Sequence, residues 1–216
     1  MNPFTFPKWL DRIRPALGLT LAAAPLYLLF VAYYGGSPRT TDVGYQPEQP
    51  LAYSHALHAG DLGIDCRYCH NTVETTARAA LPSTQTCMNC HTKIKAESPK
   101  LALVRESVET GMPLAWVRVH DLPDYAYFNH SAHVRRGVSC VSCHGRVDKM
   151  EVVSQVNTLS MGWCLDCHRQ PDKYLREPDM VTVMDYVPQE DQLIVGKRIR
   201  EKYNLNPSTD CSTCHR

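Results

Sequence analysis

The apolar positions of this chain fall into one long block and many short ones. Residues 15–34, PALGLTLAAAPLYLLFVAYY, carry no charge. A run of that length can span a bilayer as a helix. Pro25 lies inside it, and a proline is tolerable in a membrane helix. Tyr33 and Tyr34 close the run where interfacial aromatics are expected. Lys8, Arg12 and Arg14 precede it, which directs the amino terminus to the cytoplasm and everything after residue 35 outside. The run exceeds the ~7–15 apolar residues of a cleaved signal. An uncleaved anchor is therefore expected over residues 1–34, with a Gly/Pro/polar linker at 35–50. Beyond residue 50 the periodicity is modest. KLALVRESVET, 100–110, sets Leu101, Val104 and Val108 on one helical stripe, and DQLIVGKRIREKYN, 191–204, does the same for Ile194, Ile199 and Tyr203. MVTVMDYV, 180–187, suits a short extended piece without deciding for one.

The cysteines change this picture. Cys66-Arg67-Tyr68-Cys69-His70 is C-x-x-C-H, the attachment pattern of a c-type haem. Four more follow: Cys87 and Cys90 with His91, Cys140 and Cys143 with His144, Cys164 and Cys167 with His168, Cys211 and Cys214 with His215. All ten cysteines are used, and no thiol is left for a disulfide. Four-cysteine zinc sites need such pairs in twos, and five is odd. Neither zinc nor a disulfide framework requires a histidine after every pair. Five covalent haems c are expected, with the five motif histidines as proximal iron ligands.

The motifs sit in a duplication. One unit, 53–91, runs His55, His58, Cys66–His70, Cys87–His91; the other, 128–168, runs His130, His133, Cys140–His144, Cys164–His168. The H-x-x-H pair begins eleven residues before the first cysteine in one unit and ten in the other. The fifth motif stands outside the repeat, and His120 lies between the units. Five additional histidines thus match five haems needing a distal ligand. Spacing i, i+3 puts both imidazoles of a pair on one side of a helical turn, where they can serve two neighbouring haems. His120 belongs to neither pair. If it does not ligate, one haem must take a thioether from Met150, Met161, Met180 or Met184. Met161 is the foremost of these, because LSMGWC holds it close to an attachment site.

The expected fold is therefore a haem-dominated multihaem cytochrome c, with short helices, long loops and little sheet, spanning 51–216 behind its anchor. Macrocycles replace much of the apolar core, and the haem-free chain is not expected to fold stably. The formal charge of +1 gives no case for nucleic acid. Ten haem propionates would make the holoprotein acidic and favour a cationic docking partner. Haems with both axial positions filled have no open site, which leaves one-electron transfer. No flavin, nicotinamide or molybdenum motif is present, so the chain itself has no evident substrate chemistry.

YSHALHAGDLGIDCRYCHNTVE, WVRVHDLPDYAYFNHSAHVRRGVSCVSCHG, LSMGWCLDCHR and LNPSTDCSTCHR resemble the pentahaem cytochrome subunit of alternative complex III, a bacterial quinol:electron-acceptor oxidoreductase. The resemblance covers roughly residues 50–216, and the layout of one anchor and five haems matches too. It implies a single-pass inner-membrane protein with a periplasmic haem domain, acting as a wire in a respiratory-chain complex. The implied partners are an iron–sulfur subunit related to molybdopterin enzymes, polytopic quinol-binding subunits and a monohaem cytochrome c. Electrons would leave to a soluble carrier or a terminal oxidase, and quinol oxidation would belong to the membrane subunits. The alternative is a self-contained, membrane-anchored quinol dehydrogenase resembling the NapC/NirT family. Such a protein needs a haem at the membrane surface, and here Cys66 follows the apolar run by more than thirty residues. By analogy with c3-type cytochromes, which share H-x-x-H, His55 pairs with the haem on Cys66 and Cys69, and His130 with that on Cys140 and Cys143. His58 and His133 then reach across to other haems. Protease added to right-side-out spheroplasts is expected to remove the haem-staining domain. Full protection of the haem-stained band would contradict that topology.

Overall fold

The computed structural model describes residues 5–36 and 41–215. The chain divides into two units, 1–42 and 43–216.

The first unit is one helix, α1, Trp9–Gly36. It starts within the polar segment before the expected run and carries Pro15 as well as Pro25. Asp11 and Arg14 pair at 3.3 Å on its first turns. None of its side chains is buried, and with 28 residues and an 18-residue stretch of mean hydropathy 1.9 it is long and apolar enough to cross a membrane.

The second unit is helical, with no strand among its described residues; Val138 and Leu175 form a lone antiparallel bridge. The expected linker does not run free to residue 50. Gly44 donates its amide to Gln155 O at 2.7 Å, and Gln155 returns one to Tyr45 O at 3.0 Å. The Gln49 side chain makes two hydrogen bonds with the Val117 backbone, at 2.9 and 3.0 Å. Residues 180–187 form turns after a short 3-10 segment, Pro178–Met180.

Each C-x-x-C-H motif lies on a short helix: α2 (Cys66–Cys69), α3 (Thr84–His91), α6 (Cys140–His144), α7 (Met161–Arg169) and α9 (Cys211–Cys214). Polar residues ahead of them start three of these turns. Asp65 accepts from the Arg67 amide, Ser139 from Val141 and Ser160 from Trp163. Such caps satisfy amides that a helix start leaves orphaned. The first H-x-x-H lies on a π-helical turn, Ala56–Asp61, capped by His55; the second opens α5, His130–Val134, capped by Asn129.

The two helices expected from periodicity are α4, Ala102–Thr110, and α8, Gln192–Lys202. Their buried faces differ from the expected stripes. In α4 Val104 and Ser107 are buried while Val108 is exposed; in α8 Val195, Gly196 and Ile199 are buried while Ile194 and Tyr203 are exposed. In α8 the reason is backbone proximity. A Cβ on Gly196 would collide with the Asp172 carbonyl, so the helix docks on residues 171–173 through its one position without a side chain. The Gln192 side chain secures the contact by donating to Asp172 O and Leu175 O at 3.0 and 2.8 Å. Leu175, Val195 and Ile199 form the cluster beneath, with Val138 and Leu205 packed on it. Only six apolar side chains are buried among the described residues. So few suits a polypeptide organised around large apolar cofactors.

Gly196→Ala is expected to force α8 off the 171–173 turn at a cost of about 1–3 kcal/mol. The readout is a lower thermal midpoint of the haem-loaded protein, by roughly 2–4 °C for each kcal/mol lost.

Candidate haem-binding site

The ten histidines are all partly buried. Seven of them direct ring Nδ1 at a backbone carbonyl. His70 reaches Ala80 O (2.8 Å), His91 reaches Ile94 O (2.8 Å), His168 reaches Ser208 O (2.6 Å) and His215 reaches Tyr125 O (3.0 Å). The H-x-x-H residues do likewise: His58 to Ser54 O (2.8 Å), His130 to Ala77 O (3.0 Å) and His133 to Asn129 O (2.7 Å). A carbonyl oxygen only accepts, so Nδ1 must carry the proton in each. That leaves Nε2 with its lone pair, the state in which imidazole binds a metal.

The rings come together in pairs. His58 and His91 have centroids 6.2 Å apart, His130 and His144 6.3 Å, and His133 and His168 6.1 Å. The metal–nitrogen bond is about 2 Å and the ring nitrogen lies about 1 Å from its centroid, so two imidazoles flanking one metal sit roughly 6 Å apart. All three pairs have that spacing. His55 is close enough to His70 and His58 for their charges to depress its basicity. Among the described residues no three His, Cys, Asp or Glu side chains gather at one point. The imidazole donors come in twos.

Burial disfavours the charged form of four of the rings. Desolvation and the neighbouring His120 and His130 lower His144 to about 3, while desolvation with His70 and His58 lowers His55 to about 4. His120 and His133 are lowered as well, chiefly by desolvation. The Cys143 thiol shifts the other way: desolvation and the cysteines at 167 and 164 push it up to about 12. Paired imidazoles whose Nε2 is turned away from the backbone bond, beside five thiol pairs, form the donor set that a covalently attached haem iron takes.

Two aromatic residues complete the arrangement, and spacing rules alone pass over them. Tyr53 stands edge-on to His55 (4.8 Å, 86°) and stacks on His58 (4.5 Å, 24°). Phe128 stands edge-on to His130 (4.7 Å, 86°) and stacks on His133 (4.5 Å, 27°). The repeat was there to be read as aromatic-x-H-x-x-H, two residues longer than H-x-x-H.

Two expected residues are placed less simply. His120 lies edge-on to His144 at 4.4 Å, too close for both to flank one iron, and its buried Nε2 has no partner. It is not the residue beside His215; the neighbouring ring there is Tyr125, at 5.9 Å. Met161 opens α7 with its side chain exposed, one turn before Cys164. Cys164 in turn neighbours Cys214 of the fifth motif.

The family described as "Cytochrome c7 and related cytochrome c" matches residues 51–109 and 126–216. His120 falls in the gap between those segments. The curated relative "Menaquinone reductase, multiheme cytochrome c subunit" of Nitratidesulfovibrio vulgaris (strain Hildenborough) is 37% identical over 125 residues. The matched part is 56% of this chain and 59% of that protein, so the chain spans about three fifths of its relative's length.

Proposed function

The chain belongs to the family of cytochrome c7 and related cytochromes c, and from that premise we propose that it is a five-haem electron relay in a membrane-bound, quinone-linked complex. The observation that carries the reading is the set of three imidazole pairs 6.1–6.3 Å apart, each joining a motif histidine to an H-x-x-H histidine. A bound haem c supplies a reversible one-electron couple. The residues attach it through Cys-x-x-Cys, ligate it, and protect both axial faces. In this reading His55 serves with His70, His58 with His91, His130 with His144, and His133 with His168. His58 and His133 thus reach past the nearest motif to the next one, as the c3-type analogy has it. The fifth haem, on His215, would take Met161, which stands one turn before Cys164, itself a neighbour of Cys214. A thioether ligand favours ferrous iron and raises the potential. His120 is the reserve ligand beside His144.

The donor is quinol, oxidised by polytopic partner subunits of an alternative-complex-III-like assembly, and the haem domain is periplasmic. The relative's name favours a second reading, in which electrons run toward menaquinone. Purification in mild detergent separates these from the self-contained quinol dehydrogenase. A large assembly whose haems are reduced by a menaquinol analogue supports the first. An assembly that reduces the analogue from a reduced cytochrome donor supports the second. A lone protein that oxidises quinol overturns both.

His58→Ala and His133→Ala are each expected to convert one haem of five from low to high spin, read by electron paramagnetic resonance. His130→Ala should do the same only when His120→Ala is added, if His120 moves into the vacated position. An unchanged spectrum in His58→Ala, in His133→Ala or in the double variant His130→Ala with His120→Ala removes that H-x-x-H histidine from the ligand set. A near-infrared magnetic circular dichroism band of His–Met ligation should be present, and should vanish in Met161→Leu while surviving in His120→Ala.

A further inference from the structure

We infer that the five motifs stand in single file in the order 87–91, 66–70, 140–144, 164–168, 211–215, and that electrons are exchanged with partners at its two ends. The first motif in the chain is therefore second in the file. The inference rests on the five-haem reading above and gives it a direction in space.

Each junction has its own contacts. Between the first two motifs of the file, Asn89 donates to the Tyr68 hydroxyl at 3.0 Å, joining the middles of both motifs. The Tyr53 phenol lies among Cys66, Cys69 and Cys87.

The next junction unites the two halves of the duplication. The Cys66 and Cys140 side chains are close enough to perturb each other. Two adjacent residues of one strap hold the starts of both motif helices. The Thr182 hydroxyl donates to Asp65 at 3.0 Å, and Val181 O accepts from the Cys140 amide at 3.1 Å and the Ser139 hydroxyl at 2.9 Å. One loop also serves both sides, since Ala80 O receives His70 and Ala77 O receives His130.

At the third junction Asn157 donates to Ser142 O and Cys143 O, at 3.2 and 3.0 Å, just ahead of α7. The Cys143 thiol lies beside Cys164 and Cys167. At the fourth, His168 donates to Ser208 O at 2.6 Å, and Ser208 Oγ accepts from the Thr213 hydroxyl inside the last motif at 2.9 Å. Cys164 neighbours Cys214.

Exposure agrees with this order. Of the ten cysteines only Cys90 and Cys211 are exposed, one in each outer motif. The three inner motifs have partly buried thiols throughout.

The test is to locate the five irons in the haem-loaded, full-length chain by anomalous scattering, with intact mass counting the haems. Five irons whose shortest separations follow the file support the order. Five irons with the His144 iron nearer that of His91 or His215 than that of His70 overturn the order and leave the five-haem reading standing. Fewer than five haems overturn the reading itself. A solution check uses motif removal. Cys87→Ala with Cys90→Ala should alter the paramagnetic relaxation of one other haem, whereas Cys140→Ala with Cys143→Ala should alter two. Two perturbed haems in the first variant contradict its place at an end. If the second variant does not accumulate, the iron positions alone decide.

Discussion

The structure depends on a hydrogen bond from an imidazole to its own backbone. Seven histidines give Nδ1–H to a carbonyl, and each such bond fixes a tautomer, a ring plane and the direction of the free nitrogen together. A helix of four or five residues is too short to hold a side chain by packing. The carbonyls that receive these rings lie in turns and loops, such as Ala77, Ala80 and Ser208. Loops that read as filler between motifs are thus the parts that aim the imidazoles. A loop residue acting through its carbonyl leaves no side-chain signature.

Duplication extends from spacing to ring geometry. In both halves an aromatic ring two residues ahead of H-x-x-H packs one histidine by its edge and the other by its face. An edge contact and a stacked contact on one ring cannot be exchanged without turning the helix. The pair is thereby held splayed, as two residues serving two metals require. Tyr53 and Phe128 differ by a hydroxyl, and the phenol is the one that lies near thiols of two motifs. His55 and His130 are not equivalent either: His130 has Ala77 O, whereas the buried Nδ1 of His55 has no partner.

Much of this was legible before any fold was known, because the chemistry is written locally. The C-x-x-C-H motifs name the cofactor in five residues, and the apolar run names the helix. The positions of α4 and α8 followed from periodicity, but their buried faces did not. Periodicity assumes that side chains meet side chains, while α8 meets a backbone through Gly196. His120 could be found as a histidine but not placed, since it has no partner at helical spacing to set its orientation. The inferred order of the motifs was beyond reach for the same reason: it rests on contacts such as Asp65 with Thr182, separated by 117 residues.

That last contact also has a consequence in time. A chain made from its amino terminus presents the first two motifs long before residues 181 and 182 exist. The strap that ties the starts of α2 and α6 together can close only after four of the five attachment sites have appeared. Until then the halves meet through other contacts, such as His130 with Ala77 O, and long-range closures of this kind come late in folding. The strap is thus a late clasp, which fastens the starts of α2 and α6 together only after both helices have been made.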